Sequence, residues 1–447
     1  MRPYENPQLY DPAHTKVGVI GLGYVGLPLA LLFTKKGYHV TGIDIAADKV
    51  ASLQQASSYI PDIENRELAQ MLATNKLTFA ADYQGIEDLD IIVVCVPTPL
   101  ANDNKPDLRY LKHVSEALYP RLQKEQLVIV ESSTYPGTTR EVIQPILEKS
   151  NLIPGKTLHL AYSPERIDPG NKSLAIEEVP KIISGLSEQC LMRITAFYGR
   201  VFNTIVPASS LEVAELAKLL ENSYRFINIS FINEMAMFCD KLGIDLWEAI
   251  STATTKPYGY QAFYPGPGIG GHCIPIDPLY LYWVGAQRGF HAQFLSLSEQ
   301  MNQTITSYVV EQIKKLAETS KSISDASIVL CGLSYKKDSN DVRTSPSLDI
   351  MKALIQLGAN VSYHDPHVPA VEVGQTLYSS QPLSQELLEN ADLVAILTDH
   401  SNLPITSILE HAKVVYDTKN VTKGYKGKAK TVVLGDGGTN YLADGKS

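Results

Sequence analysis

The residues best equipped for chemistry cluster in one stretch, Pro265-Gly266-Pro267-Gly268-Ile269-Gly270-Gly271-His272-Cys273-Ile274-Pro275-Ile276-Asp277. Its four glycines and three prolines exclude a regular element and specify a shaped loop. A cysteine that follows Gly-Gly is open to close approach by a ligand, and an acidic residue lies four positions on. A thiol suits the oxidation of an aldehyde. Its thiolate adds to the carbonyl, loss of hydride leaves a thioester, and water cleaves the thioester. Composition alone leaves a second reading open, a buried structural thiol, which is the usual fate of an unpaired cysteine. His272 beside the thiol reads as a packing or loop-holding residue in preference to a base.

A second constellation lies near the start. Gly21-Leu22-Gly23-Tyr24-Val25-Gly26 follows a predicted strand and opens a predicted helix, and Asp44 ends the next strand. Glycines there allow a tight turn and close backbone approach to a pyrophosphate, which the helix N-terminus binds through its N–H groups. Asp44 would accept hydrogen bonds from a ribose diol and repel a 2′-phosphate, so the expected cofactor is NAD and not NADP. The cofactor contacts fall on Gly21, Gly23, Tyr24, Val25, Gly26 and Asp44. The fingerprint implies hydride chemistry without naming its substrate.

These groups must be carried by elements. Lys16 to Ile20, His39 to Ile43, Asp90 to Val96, Leu127 to Glu131 and Leu158 to Ala161 read as strands, with a helix from Leu27 to Lys36. Strands alternating with helices imply a parallel sheet. Leu211 to Leu242 carries apolar residues at helical spacing without Pro or Gly and reads as one long helix. The opening pattern then returns: strand Ser327 to Cys331, the turn Gly332-Leu333-Ser334-Tyr335, helix Leu348 to Gln356, and strand Asn360 to His364 ending in Asp365. This weak internal repeat predicts an α/β chain of two Rossmann-like doubly wound parallel-sheet domains joined by a long central helix. The expected division is 1–207, 208–318 with the cysteine loop, and 319–447. The Gly-rich polar tail from Gly435 reads as loose.

Bulk properties narrow the partners. A net charge of -9 argues against nucleic acid and anionic membranes. No apolar run reaches the roughly 18–20 residues of a membrane span. The first fifteen residues are polar and Pro-rich and form no signal peptide. Cys95, Cys190, Cys239, Cys273 and Cys331 are odd in number and lack C-x-x-C pairing, so a disulfide framework is not expected. Except for Cys273 they lie in strand-like or helical apolar runs. The histidines show no metal-ligand spacing. A cytoplasmic protein without a catalytic metal is expected.

The loop, with GLGYVGLPLA (21–30) and ELAKLLEN (215–222), resembles the UDP-glucose/GDP-mannose dehydrogenase family. VCVPTP (94–99), ESSTYPGTT (131–139), SPERIDPGN (163–171) and GLSYKKDSNDVRTSPS (332–347) extend the likeness over nearly the whole chain. The resemblance implies a four-electron oxidation of a sugar nucleotide with two NAD and no released aldehyde. It makes Cys273 the nucleophile and brings Lys218 and Asn222 to the active site, where they would stabilise an oxyanion. Glu215, Lys218 and Asn222, at i, i+3 and i+7, share one helix face. Asp277 would position water or transfer a proton, Thr134 would help hold that water, and Glu165 would serve thioester hydrolysis. Thr98, Thr134 and Arg343 would face the cofactor, with Lys49 near its adenosine ribose. Substrate contacts would come from Glu165, Arg166, Lys218, Asn222, Gly270 and Lys336. Tyr258, Tyr260, Phe263 and Tyr264, in the loop that covers the sugar nucleotide, could stack on the uracil or simply pack the loop.

One position departs from the family pattern. Members acting on UDP-glucose carry a lysine immediately before the aspartate of the loop, where this chain has Ile276. The combination resembles the subgroup acting on UDP-N-acetylhexosamines. UDP-N-acetylglucosamine is the expected substrate, in surface polysaccharide synthesis, with UDP-N-acetylgalactosamine, UDP-N-acetylmannosamine and UDP-glucose as alternatives. The family's central helix implies a homodimer. Two rivals stand beside this reading: a two-electron Rossmann dehydrogenase with a structural cysteine, and a nucleotide-sensing protein without catalysis.

Overall fold

Runs such as IIVV (91–94) and LVIV (127–130) are apolar on both faces, as strands covered by helices on each side must be. A computed structural model describes residues 9–60, 62–101, 105–166, 174–319 and 321–438. The chain divides into two units, Met1–Glu221 with Leu279–Phe290, and Asn222–Pro278 with His291–Ser447.

The first unit is built on eight strands: β1 (Lys16–Ile20), β2 (His39–Ile43), β3 (Leu77–Ala80), β4 (Ile91–Val94), β5 (Leu127–Val130), β6 (His159–Tyr162), β7 (Lys181–Gly185) and β8 (Ile205–Pro207). Their order is β3-β2-β1-β4-β5-β6-β7-β8. The strands run parallel up to β6, against which β7 is antiparallel. Strand order reverses direction between β1 and β4, the switch point outside which ligands bind in such sheets. Helix α1 (Gly26–Lys35) buries Leu27, Leu29–Phe33 and Thr34 in the core. Helix α2 (Glu188–Tyr198) is capped by the Ser187 hydroxyl. Its Phe197 ring packs at a tilt against Phe33 and edge-on against Tyr38.

The long helix α3 spans Leu211–Leu242, with the bounds its composition implies. Two further helices follow, α4 (Asp277–Gln287) and α5 (Gln293–Ala317). The second unit then forms a five-stranded parallel sheet from β9 (Ser327–Cys331), β10 (Asn360–His364), β13 (Leu393–Ile396), β14 (Val414–Asp417) and β15 (Lys430–Val433), in the order β10-β9-β13-β14-β15. A separate hairpin joins β11 (Ala370–Val373) to β12 (Thr376–Ser379). Helix α6 (Pro346–Gln356) follows β9 and starts on a proline, whose missing N–H costs nothing at that position. Two doubly wound sheets and a long central helix are therefore present. The tail does not begin loose at Gly435. The Gly435 and Gly437 amides donate to the buried Asp240 carboxylate on α3 at 3.0 and 3.2 Å. Polar composition gave no sign of this anchor, because the bonds use backbone groups. Residues 439–447 lie outside the described part.

Candidate active site

The glycine turn of the first unit has the geometry of a phosphate cradle. Gly21 adopts φ +90°, and a Cβ there would lie 2.8 Å from the Cys95 carbonyl oxygen. A Cβ on Gly26 would come within 1.9 Å of the Gly21 oxygen, so α1 can start this close to β1 only on glycine. A Cβ on Gly23 would meet nothing within 4 Å, which leaves the outer side of the turn open. No side chain among the described residues caps α1; Leu27 N and Leu29 N donate to Gly23 O and Val25 O and Pro28 has no N–H, so an anion here would be held by the helix dipole and the backbone of the turn. Asp44 ties the turn together, accepting from Leu22 N at 2.9 Å and Ala46 N at 3.0 Å. Tyr24 and Val25 are half-buried beside it. Lys49 is exposed and sits over the Tyr59 ring, 5.4 Å from its centroid.

The loops after β4 and β5 are fastened to each other. The Thr98 hydroxyl donates to the Ser133 carbonyl at 2.7 Å, and the Ser132 hydroxyl to the Val96 carbonyl at 2.7 Å. The Tyr280 hydroxyl donates to the Thr98 carbonyl. Thr134 is fully buried, with its Oγ1 3.5 Å from Glu215 Oε1. Glu215 also accepts from Gly137 N (2.6 Å), Thr139 N (2.9 Å) and Thr139 Oγ1 (2.7 Å). Burial raises its pKa to about 7 against these hydrogen bonds. Lys218, one turn along α3, is buried as well. Glu165 lies under the surface, accepting from Arg166 N at 2.6 Å and from the Lys181 ammonium at 3.2 Å. The Arg166 guanidinium is committed to Glu221 (2.6 and 3.2 Å) and to the Pro180 carbonyl (2.8 Å). The rest of the SPERIDPGN motif, residues 167–171, lies outside the described part.

In the second unit the cysteine loop is clamped from two helices. Asn233 of α3 accepts from Gly266 N at 3.0 Å. Asn302 of α5 accepts from Ile269 N at 2.7 Å and donates to Ile269 O at 3.2 Å. Thr306 donates to Pro267 O at 2.9 Å. The glycines serve this packing. A Cβ on Gly270 would lie 2.7 Å from Tyr335 Cβ and Pro346 Cδ, and one on Gly271 2.6 Å from the Tyr335 ring. Thr344 Oγ1 donates to Gly271 O at 2.7 Å. The groups that approach the glycines closely thus belong to the GLSYKKDSNDVRTSPS segment. The loop then turns into α4, with the Ile276 and Asp277 amides donating to Cys273 O at 3.2 and 2.9 Å. Asn222 Nδ2 donates to Asp277 Oδ2 at 2.6 Å, and both residues are buried. Of the five cysteines, Cys273 is the exposed one; Cys190, Cys239 and Cys331 are buried and Cys95 half-buried. Burial and the charge of Arg343 lower the pKa of His272, which favours the neutral ring.

The remaining expected contacts have distinct settings. Arg343 makes a bidentate pair with Asp341. Lys336 is half-buried. Phe263 packs on the core of the second unit and meets the Tyr224 ring edge-on at 5.8 Å. Tyr264 stacks on Trp247 at 5.8 Å. Tyr258 and Tyr260 are exposed, with Lys256 5.0 Å from the Tyr258 centroid.

Comparison with known proteins matches three consecutive stretches of the chain. Residues 15–202 match the NAD binding domain of the UDP-glucose/GDP-mannose dehydrogenase family, residues 212–304 its central domain, and residues 329–424 its UDP binding domain. The chain belongs to this family. It is similar to a UDP-N-acetyl-D-glucosamine 6-dehydrogenase of Pseudomonas aeruginosa, 34% identical over 413 residues, or 90% of this chain and 96% of that one. A UDP-N-acetyl-D-mannosamine dehydrogenase of Methanococcus maripaludis is 32% identical over 440 residues, covering 94% and 97%. The solved UDP-D-ManNAc dehydrogenase of Pyrococcus horikoshii superposes with a TM-score of 0.86 at 28% identity, over 95% of this chain and all of that one.

The protein is thus an NAD-dependent UDP-sugar dehydrogenase. The turn fits its cofactor: a glycine at positive φ, an open glycine and the N-terminal end of a helix dipole suit a pyrophosphate. Several residues that build the dehydrogenase's site escape a reading by motif. Glu215 stands in ELAKLLEN, but its partners come from a turn some eighty residues earlier. Asn233, Asn302 and Thr306 sit in ordinary amphipathic helices. Lys419, whose amine burial lowers, lies 2.9 Å from where a Cβ on Gly266 would stand. A strand-end lysine after Asp417 was the available signal.

Proposed function

We propose that this dehydrogenase oxidises the C6 alcohol of a UDP-N-acetylhexosamine, UDP-N-acetylglucosamine first, to the uronate for a surface polysaccharide. The observation that carries the chemistry is the exposed Cys273 thiol on a loop fixed by Asn233, Asn302 and Thr306 and flanked by the buried Asn222–Asp277 pair. When bound, NAD would accept the hydrides, one molecule for each of the two oxidations. The alcohol gives up a hydride, and its hydroxyl proton to solvent, to become an aldehyde. The Cys273 thiolate bonds to that carbonyl carbon, while Lys218 and Asn222 donate to the oxyanion. Loss of a second hydride leaves a thioester. Glu165 then takes a proton from water, whose oxygen bonds to the acyl carbon as the C–S bond breaks and the thiolate leaves. Thr134 and Asp277 hold the water. Gly21, Gly23, Tyr24, Val25, Gly26, Asp44, Lys49, Thr98 and Arg343 would hold NAD. Arg166, Gly270, Lys336 and the aromatic residues 258, 260, 263 and 264 would hold the sugar nucleotide.

The functional division we propose is 1–207 for NAD, 208–318 for the thiol and dimerisation, and 319–447 for UDP. Homodimerisation is supported by an apolar stripe along α3. Val213, Leu216, Leu220, Tyr224, Phe231, Phe238 and Leu242 recur at three-, four- and seven-residue spacing, and all are exposed. Light scattering should give twice the mass of one chain, and a monomer would refute the dimer. No helix among the described residues is long and apolar enough to cross a membrane.

Two NADH should form per sugar nucleotide, with an acid as product. One NADH with a released aldehyde would overturn the covalent route, as would full activity of Cys273→Ala. A panel of UDP-sugars ranked by kcat/KM decides the sugar. UDP-N-acetylmannosamine is the second reading, favoured by the fit to the Pyrococcus enzyme. A higher kcat/KM for it, or for UDP-glucose, would displace UDP-N-acetylglucosamine.

A further inference from the structure

Behind Glu165 lies a charged array that the route above does not use. Lys181 opens β7, which runs antiparallel to β6 and parallel to β8 at the end of the sheet. The pairs Ala161↔Gly185 and Tyr162↔Ser184 set a register that, continued past β6, places Lys181 opposite Glu165. The Ser163 hydroxyl, bonded to the Ile182 carbonyl at 2.7 Å, confirms that the register carries on. The reversal of direction at β7 thus brings its start to the edge where the parallel strands β5 and β6 end, which is the ligand edge of such a sheet. Glu131, the residue after β5, meets the same lysine at 2.8 Å, and Glu165 meets it at 3.2 Å. The Glu131 side chain is wholly buried, and those of Lys181 and Glu165 are at most a tenth exposed.

Among the described residues, aromatic rings and a thiol lie against the array. Tyr198 donates its hydroxyl to Glu131. The Tyr198 and Phe202 rings lie 5.6 and 5.2 Å from the ammonium. The Cys95 thiol is close enough to feel all three charges. Arg166 offers Glu165 only its amide, its guanidinium being held by Glu221. Burying three ionisable side chains costs several kcal/mol each before pairing, which makes such arrays weak sources of stability. Their value lies in holding one member in a fixed charge state and direction.

We propose that Lys181 is a positioning residue for thioester cleavage: its ammonium holds the Glu165 carboxylate ionised and aimed, while Glu131 holds the ammonium from behind. The proposal rests on the reading that Glu165 takes the proton from the attacking water. It predicts opposite effects from the two neighbours. Without the ammonium, Glu165 gains protons more readily; without the Glu131 charge, less readily.

The test follows the acyl adduct on Cys273 by intact mass after acid quench in single turnovers, with NADH formation read alongside. Lys181→Met should slow adduct decay by about 100-fold and leave NADH formation within about 3-fold. The acid limb of its decay–pH profile should move up by about one unit. Glu131→Gln should move that limb down, and Lys181→Arg should restore decay to within about 10-fold of wild type. Unchanged decay in Lys181→Met, or limbs that stay put or move together, would overturn the proposal. If Lys181→Met does not fold, the downward shift in Glu131→Gln decides. Glu165→Gln separates the two readings. Fast decay there refutes the role of Glu165 itself, while slow decay there with normal decay in Lys181→Met refutes only the role of Lys181.

Discussion

After β1 the chain turns at Gly21 with φ +90°, and after β9 it turns at Gly332 with φ +88°. The Gly21 amide donates to Ile43 O and the Gly332 amide to His364 O, each at 2.8 Å. Leu22 N reaches Asp44 Oδ2 at 2.9 Å, and Leu333 N reaches Asp365 Oδ2 at 2.7 Å. Ala46 N and His367 N close the other carboxylate oxygen at 3.0 and 2.8 Å. Beyond these bonds the turns part. Residues 21–25 lead straight into α1, whereas residues 332–345 form a long segment before α6. Asp44 stays half-exposed with room for a ligand hydroxyl. Asp365 is buried and also accepts from Ser334 N at 3.1 Å, Val368 N at 3.1 Å and the His400 ring at 3.2 Å. Burial alone would raise its pKa, but His400 and the amides of Leu333 and His367 outweigh burial and hold it at about 2. One turn has thus kept its acid for a ligand, and the other has spent it on the fold. His400 completes that commitment: Nδ1 accepts from Asp338 N at 3.0 Å while Nε2 faces Asp365. Both ring nitrogens being used, the neighbouring trio Asp338, His367 and His400 is poorly suited to a metal.

The contrast can be broken by mutation. Asp365→Ala should lower stability by about 3–5 kcal/mol, read as a fall of several degrees in Tm, because it strands buried donors. Asp44→Ala should stay within about 0.5 kcal/mol. Equal losses would mean that both acids are structural. In activity the ranking reverses. Asp44→Ala should raise the KM for NAD by about 10–100-fold and improve use of NADP, through loss of charged hydrogen bonds to the ribose. Unchanged cofactor kinetics would remove Asp44 from the site.

Two buried acids give the units opposite pH responses. Asp365, lowered from 3.8 to about 2, contributes about 2 kcal/mol that is present above pH ~4 and lost as pH falls toward 2. Glu215, raised from 4.5 to about 7, contributes stability that is present below pH ~4.5 and lost as pH rises through 7. Asp365→Asn should flatten the acid loss and Glu215→Gln the loss toward neutrality, in thermal melts across pH 2–8. Melts in which either variant keeps the wild-type slope would reject that assignment. The smallest effect is expected at Gly23→Ala, where a Cβ meets nothing. Tm should hold while NAD binding weakens measurably by calorimetry; equal binding would leave the open side of the turn without a ligand.

Much of this was legible in the sequence because it is local. Lys16–Ile20, His39–Ile43, Ser327–Cys331 and Asn360–His364 are apolar runs between turn residues, and Leu211–Leu242 lacks any breaker. Glu215, Lys218 and Asn222 share a buried face, as their spacing requires. What stayed hidden depends on partners distant in sequence. The strand Lys181–Gly185 is not among those read from the sequence, and a strand pattern carries no direction, so the meeting of Lys181 with Glu165 was invisible. The loop glycines read as room for a ligand, whereas Tyr335 and Pro346 fill the space beside Gly270 and Gly271. Phe263 and Tyr264 looked equally fit for stacking or packing, and Trp247 and Tyr224 supply packing partners.

The Asp240 carboxylate on α3 holds the amides of Gly435 and Gly437, 195 and 197 residues further along the chain. During synthesis the first unit has most of its strands and helices available early, since all but residues 279–290 precede residue 222. The second must wait until nearly the whole chain has emerged before this bond can close. Contacts of such sequence separation carry a high loop-closure cost and form late. The exposed apolar side of α3 is therefore made long before its own C-terminal anchor exists. A chain that has emerged only through α3 thus presents this apolar side without its anchor, the kind of surface that makes unfinished chains prone to aggregate.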